Sequence, residues 1–428
     1  MKLKRYKAVA SLTVAAAVVA GCGSSSSTNS SAATAASATT GAGPAAGSGG
    51  ADKAKVYTIG VLADETGPGA SANKSFLQGA QAGIGMEKAD GWKFNYVVGD
   101  TATSPATALT AAHQLVDQDH VDVVLVQSAV AFGAAPYLTK QGIPVVGVAQ
   151  DANEWLPSKN MFSDFGFLND TVVTQTAGKF FKLVGATKVG TLGYSISPSS
   201  ADSARAAAIS AQAAGLAAPY VNPQFPFGST NIAPEALAMK NAGIDALYAS
   251  VDPNTGLALI NALRQLGDSP KAPYLATGYG GDLLQAGPAG EQSAQGVYFT
   301  TSFEPIEMNT PATQKFAAAL KAVGVTTEAT YGEYNGYVST ALLAQGLAGA
   351  GSNETKSSLI ASLSGITNFD GAGLLGTHTL DLSNRQATAG GIDGCSYFTQ
   401  FEGTTFHLVA GADPLCGSVI PGKVAGSS

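Results

Sequence analysis

One short motif has the residue types and spacing of a catalytic site. Ser71-Ala72-Asn73-Lys74 matches S-x-x-K, which places a serine nucleophile near a lysine base in serine β-lactamases. The K-T-G that accompanies this motif and the G-x-S-x-G of another hydrolase class are both absent from the sequence. These absences argue against a serine hydrolase. A hydrolase of the cell envelope, with Ser71 or Ser195 as nucleophile, is kept as the alternative hypothesis.

A second motif has the spacing of a dinucleotide site. The run GAGLLG at 371–376 matches G-x-G-x-x-G, but such a site needs a strand before the glycines and a helix after them. Thr377–Leu382 alternates apolar and polar residues like a strand, so we interpret the glycines as a tight turn. The histidines at 113, 120, 378 and 407 lack zinc-ligand spacing, and no calcium loop is visible. We expect no metal and no cofactor.

The three cysteines point to an exported protein. A basic start, Lys2 to Lys7, precedes thirteen uncharged residues, Ala8–Ala20, a run too short to span a bilayer. The sequence VAGC at 19–22 then resembles the lipobox of bacterial lipoproteins. We predict a signal peptide over 1–21 and a lipid on Cys22; cleavage near Ala20 by an ordinary signal is the alternative.

Cys395 and Cys416 are the only other thiols in the sequence. An oxidising compartment favours a disulfide between them, although two free buried thiols remain possible. Residues 23–51 contain only Gly, Ala, Ser, Thr, Asn and Pro, which cannot offset the entropy of ordering. We therefore predict a flexible tether over 22–55 that holds the protein at the extracytoplasmic face of the membrane.

Length and composition restrict the class of the remainder. The 428 residues are 45% hydrophobic and 12% charged, which suits two folded domains and excludes disorder throughout. The formal net charge is −7, and the N-terminal cations lie in the predicted signal peptide. A nucleic-acid partner is excluded because the acidic protein would repel it.

Short β-rich runs alternate with helical stretches, which is typical of a parallel sheet flanked by helices. The alternation restarts after the aromatic segment Met161–Phe167, so we predict two similar α/β lobes, and the end, 372–416, has the pattern of antiparallel strands. The first predicted strands are Val56–Ala63, Lys93–Gly99, Val121–Gln127 and Ile143–Ala149, with helices at about 72–90, 105–119 and 131–141.

These segments carry a family resemblance. The runs IGVL at 59–62, TGP at 66–68 and QGAQAGI at 78–84 resemble the opening of periplasmic solute-binding proteins of ABC transporters, of the Leu/Ile/Val-binding type. The similarity continues through GIPVV at 142–146, GATKV at 185–189, NAGIDAL at 241–247 and DGAG at 370–373, and it covers 56–410.

The resemblance implies two lobes with mostly parallel sheets, joined by three hinge crossings. Lobe 1 then takes 56–165 and 304–369, lobe 2 takes 166–303 and 370–418, and 419–428 is a tail. The solute is expected between the lobes, at the carboxyl ends of the strands.

In the first lobe the resemblance places ligand contacts after two strands. Gln127, Ser128 and Ala129 follow one strand, where family members hold a ligand carboxylate with a hydroxyl and backbone N–H groups. Gln150 and Asp151 follow the next. Asp151 departs from the family pattern, because an anion there would repel a carboxylate. A turn or capping role is the structural alternative for Ser128.

In the second lobe the aromatic wall of the family is missing at its usual place, and Tyr194 or Phe227 is expected to replace it. Asp252 and Asp282 are candidates to pair with a ligand ammonium, and Tyr279 could stack on the ligand. Alternatively, Asp252 only caps the next helix and the two tyrosines belong to the core.

The resemblance implies a lipid-anchored binding protein, not an enzyme. It would capture a small polar solute, an amino acid or a related compound, and deliver it to a membrane permease. A ligand sensor with the same fold is the alternative, besides the envelope hydrolase.

Overall fold

The computed structural model describes residues 51–167, 172–284, 286–385 and 394–426. The predicted signal peptide 1–21, the lipidation site Cys22 and most of the predicted tether lie outside the described residues. Within the described ranges, no helix combines the length and the apolar character needed to cross a membrane.

The first lobe is built on a sheet of five parallel strands in the order β2-β1-β3-β4-β5. All five residues of β3 are buried, as expected for a strand covered by helices on both faces. The strands are β1 (Val56–Ala63), β2 (Lys93–Asp100), β3 (Val123–Gln127), β4 (Val145–Gly147) and β5 (Met161–Ser163), and the helices are α1 (Ala70–Asn73), α2 (Phe76–Ala89), α3 (Pro105–His113) and α4 (Ala135–Lys140).

The second lobe has an eight-stranded sheet. Its first five strands, β6 (Lys188–Tyr194), β7 (Ala217–Phe225), β8 (Ala246–Ser250), β9 (Ala272–Leu275) and β10 (Tyr298–Thr301), are parallel. Three antiparallel strands follow, β11 (Cys395–Glu402), β12 (Thr405–Leu408) and β13 (Leu415–Cys416). The helices along this part of the chain are α5 (Thr176–Leu183), α6 (Pro198–Ala213), α7 (Ala233–Ala242), α8 (Pro253–Gln265), α9 (Gly281–Leu284) and α10 (Gly287–Ser293).

Three late helices, α11 (Pro311–Ala322), α12 (Tyr331–Gly349) and α13 (Lys356–Ser364), return to the first lobe. Helix α12 packs on α2 so closely that a Cβ at Gly79 would lie 2.1 Å from the carbonyl oxygen of Glu333. The chain therefore crosses between the lobes after β5, again after β10, and a third time before β11.

The predicted disulfide is present and joins β11 to β13 through Cys395 and Cys416. The glycines at 371, 373 and 376 have positive φ and form a turn, as predicted. The predicted strand at 377–382 is wrong. Leu380 makes an isolated bridge to Phe369, and Leu380 and Leu382 are buried without a strand ladder, which explains the alternation.

Two predicted chain boundaries also change. The last residues of the predicted tether pack on the first lobe, where Ala51 N–H donates to the Leu347 carbonyl over 3.1 Å and Lys55 pairs with Glu354 over 2.8 Å. The predicted tail packs on the second lobe, where Ile420 N–H donates to the Val173 carbonyl over 2.7 Å. Both segments belong to the folded part, because their backbone groups form hydrogen bonds with the lobes.

Candidate ligand-binding cleft

A cavity of about 180 Å³ lies between the lobes. The first lobe contributes α1 and the loops after β3 and β4, and the second contributes the ends of β6 and β8 with the first turns of α6 and α8. A solute in this cavity would contact both lobes. Another cavity of about 300 Å³ is lined almost wholly by the second lobe. A solute there would contact mainly that lobe and would not join the two lobes.

The lobes contact each other beside the cleft. The carbonyl of Asp151, in the first lobe, accepts hydrogen bonds from Ser199 N–H (3.1 Å) and from the Ser197 hydroxyl (3.2 Å). Ser197 is also the N-cap of α6, where its Oγ accepts from Ser200 N–H. The start of α6 is therefore fixed by its own cap and by the opposite lobe.

An aromatic wall with one carboxylate forms the second-lobe side of the cavity. The Tyr194 hydroxyl donates to Asp252, and Phe227 packs edge-to-face on Tyr194 with ring centroids 4.6 Å apart. Burial, followed by the charge of Asp252, raises the pKa of Tyr194 above its usual range, so the phenol stays protonated. The structure thus brings together Tyr194, Phe227 and Asp252 in one cavity lining.

Asp252 also has the capping role that the sequence allowed. Its carboxylate accepts from Thr255 N–H (3.1 Å) and from the Thr255 hydroxyl (2.6 Å) at the start of α8. The cap fixes the side chain at the edge of the cavity. Helix capping and exposure to the cleft are therefore compatible in this residue.

The donors predicted to hold a ligand carboxylate are bonded to Asp64 instead. The Ser128 hydroxyl donates to Asp64 Oδ1 (2.6 Å), and Ala129 N–H donates to Asp64 Oδ2 (2.9 Å). Asn73 Nδ2 (2.7 Å) and the Thr101 hydroxyl donate to the same carboxylate. Asp64 and Ser128 are fully buried, and only Ala129 of this predicted group lines the cavity.

Two glutamines extend this network toward the cleft. Gln127 Nε2 and Gln150 Nε2 donate to Asn73 Oδ1 over 3.0 and 3.1 Å. Gln150 and Asn73 line the cavity, whereas Gln127 lies behind them with Oε1 unpaired within the described part of the chain. Ligand contact by Gln150 or Ala129 stays a prediction that the geometry allows.

Three other predicted contacts lie away from the cavity lining. Asp151 is fully buried, and its carboxylate accepts from Phe132 N–H (2.5 Å) and Trp155 Nε1 (3.0 Å). Tyr279 is buried, and its hydroxyl donates to Glu307. Asp282 accepts from the backbone of α12, at Tyr331 N–H over 3.2 Å. All three follow strands, as the resemblance implied, but their side chains have partners within the protein.

Asp64 is a member of this group that was not predicted from the sequence. The available signal was its position, because Asp64 directly follows β1 at the carboxyl end of a parallel strand. The S-x-x-K motif lies on α1, and the Ser71 hydroxyl has no hydrogen-bond partner among the described residues. In this part of the chain the Ser71 hydroxyl is therefore not hydrogen-bonded to a base, as the activated serine of a hydrolase usually is.

Solved structures share this architecture at low sequence identity. A leucine-binding protein from Thermotoga maritima superposes with a TM-score of 0.68 at 18% identity, covering 83% of this chain and 98% of that one. A branched-chain amino acid transporter substrate-binding protein from Streptococcus pneumoniae, in complex with isoleucine, gives a TM-score of 0.68 at 20% identity, covering 86% and 99%. An ABC transporter solute-binding protein from R. palustris, in complex with 4-hydroxybenzoate, gives 0.67 at 20% identity, covering 82% and 94%.

At these identities the likeness shows the fold. A comparison with curated proteins gives no match. The family model described as periplasmic binding protein matches residues 56–405, which is most of the chain and nearly all of its two lobes. The chain belongs to the periplasmic binding protein family.

Proposed function

We propose that this protein is an extracytoplasmic lipoprotein that captures a small polar solute in the interlobe cleft and delivers it to the permease of an ABC transporter, without catalysing a reaction. The observation that carries the proposal is a cavity lined by both lobes. A solute that touches both lobes favours the closed arrangement, because only there can it make all its contacts.

The solute class that we propose is an amino acid or a related compound. Relatives of the same fold are described with leucine, isoleucine or 4-hydroxybenzoate. The cavity, about 180 Å³, is smaller than the roughly 300–1,000 Å³ of pockets for drug-sized molecules, so it suits a small solute. Polar groups of Gln150 and Asp252 at opposite sides supply contacts from the two lobes.

Thermal-shift screening of the full chain against amino acids, amides and aromatic acids tests the proposal. A ligand at 100 times its dissociation constant should stabilise the protein by about 2.7 kcal/mol. Small-angle scattering with the best ligand should then show compaction as the lobes close. The proposal fails if no solute raises the melting temperature and the radius of gyration stays constant.

A further inference from the structure

The charged side chain that the cavity lining contributes, among the described residues, is an acid. Among the described residues that line the cavity there is no lysine, arginine or histidine, and Asp252 is the only carboxylate. The Asp64 carboxylate lies behind the first-lobe wall, bonded to Asn73 and Ala129, which both line the cavity. A solute in the cleft therefore meets negative charge from both lobes.

The first-lobe donors that were predicted to hold a ligand carboxylate are already occupied. Ser128, Ala129, Thr101 and Asn73 together form a site for a carboxylate, and Asp64 already fills it. A second carboxylate beside Asp64 would be desolvated without a cation, which opposes binding. The internal carboxylate thus excludes the anionic group that these donors would otherwise attract.

A cationic group, in contrast, has acceptors. The Asp252 carboxylate receives Thr255 N–H, the Thr255 hydroxyl and the Tyr194 hydroxyl, and a carboxylate offers about four acceptor positions. Aromatic rings of Tyr194, Phe227 and Tyr248 line the same cavity, and ring faces attract cations.

A separate observation also points to a ligand. Ser199 is 6% exposed and lines both this cavity and the larger second-lobe cavity, yet its hydroxyl has no hydrogen-bond partner within the described ranges. Buried hydroxyls are normally satisfied, so an unpaired one in a cavity wall can pair with a polar group of a ligand, and it can accept an N–H donor such as an ammonium. Its position at the start of α6 puts it on the lobe that carries Asp252.

We infer that the preferred solute is a small organic amine without a carboxylate. The inference rests on the proposed function and narrows its solute class, within the same cleft, from amino acids and related compounds to related amines that lack the carboxylate. The ammonium lies near Asp252 and Ser199, and the apolar part lies against the aromatic wall. An α-amino acid is disfavoured because its carboxylate, next to the ammonium, would lie close to the Asp252 carboxylate, while the first-lobe donors are occupied by Asp64.

Matched ligand sets test the inference by calorimetry on the full chain in detergent. One set is phenethylamine, 2-phenylethanol, 3-phenylpropanoate and phenylalanine; a second is isopentylamine and leucine. The amine should bind at least tenfold more tightly than every other member of its set. An amino acid, acid or alcohol that binds as tightly as its amine overturns the inference and leaves the proposed function standing.

The variant Asp252→Asn tests the cation contact. Asparagine caps helices about as well as aspartate, so α8 should form normally. We expect at least a tenfold loss of amine affinity, while the exposed control Glu402→Gln keeps it. Unchanged amine affinity in Asp252→Asn overturns the inference. If no member of either set binds and scattering shows no closure, both the inference and the proposed function fail.

Discussion

Asp64 is the residue on which the first-lobe wall of the cleft depends. Removing its carboxylate in Asp64→Ala would leave the Ser128 hydroxyl, the Asn73 amide and the Ala129 N–H without their acceptor. Each buried donor left unpaired costs about 1–3 kcal/mol, so we expect the free energy of unfolding to fall by at least about 3 kcal/mol. Urea denaturation followed by circular dichroism measures this change.

Asp370→Ala is the control for Asp64→Ala, because Asp370 is exposed. We expect it to change the unfolding free energy by less than about 0.5 kcal/mol. An equal, small effect in both variants would show that the Asp64 network contributes little to stability.

Glu154 gives the protein a dependence on pH. Its two carboxyl oxygens are buried next to the carboxyl of Asp151. Burial, followed by the charge of Asp151, raises the pKa of Glu154 well above its usual range. The folded state thus holds the proton more tightly than the unfolded chain. We expect the contribution of Glu154 to the free energy of unfolding to be fully present below about pH 4.5, its ordinary pKa, and to be lost as the pH rises toward the raised pKa of the folded state.

Urea titrations at several pH values between 5 and 9 measure this slope. Glu154→Gln should reduce the slope, since the amide stays neutral, while Glu402→Gln should keep it because Glu402 is exposed. Other buried carboxyls with a raised pKa, Glu87 and Glu328 among them, keep part of the slope in every variant. Identical slopes in wild type and Glu154→Gln would contradict the assignment.

At the scale of elements, the disulfide holds the short strand β13 on β11. Its cysteines are 21 residues apart, and closing a loop of this length stabilises by roughly 3 kcal/mol in the chain-entropy model. The double variant Cys395→Ser, Cys416→Ser should lose about that amount in urea denaturation. Thiol labelling of denatured, non-reduced Cys22→Ala protein should find no free thiol; two labels per chain would show that the bond does not form.

Elements with local signals were predictable from the sequence. The limits of β1 agree with the predicted strand Val56–Ala63, because the burial pattern resides in adjacent residues. The segment 377–382 has the two-residue periodicity of a strand, but it forms no ladder with a neighbouring strand. Periodicity reports which side chains are buried, not whether the backbone joins a ladder.

The details of the cleft depend on distances that the sequence does not contain. Ser128 lies 64 residues after Asp64, so no local pattern shows that the two side chains are bonded. Tyr279 follows a strand, as a ligand contact would, but its hydroxyl faces Glu307. Position at a strand end predicts which lobe edge a residue occupies. It does not predict where the side chain points.

At the scale of the whole molecule, we predict that Cys22 carries the lipid that anchors the protein. The basic start, the short apolar run and VAGC at 19–22 are its basis. Cys22→Ala should move the protein from the membrane fraction to the soluble fraction, as measured by fractionation and immunoblotting. Retention of Cys22→Ala in the membrane, with processing insensitive to globomycin, would contradict lipidation.

The contact between α2 and α12 determines when the first lobe can finish folding during synthesis of the chain. The Thr330 hydroxyl donates to the Ser75 hydroxyl over 2.7 Å, although 255 residues separate them. The first lobe therefore cannot finish folding until most of the second lobe has been synthesised. A chain ending at residue 329 contains all five strands of the first sheet but lacks α12. The face of α2 that carries Gly79 and Gly83 and packs on α12 is then uncovered. We expect limited proteolysis to cut that chain within α2 and to spare α2 in the full chain.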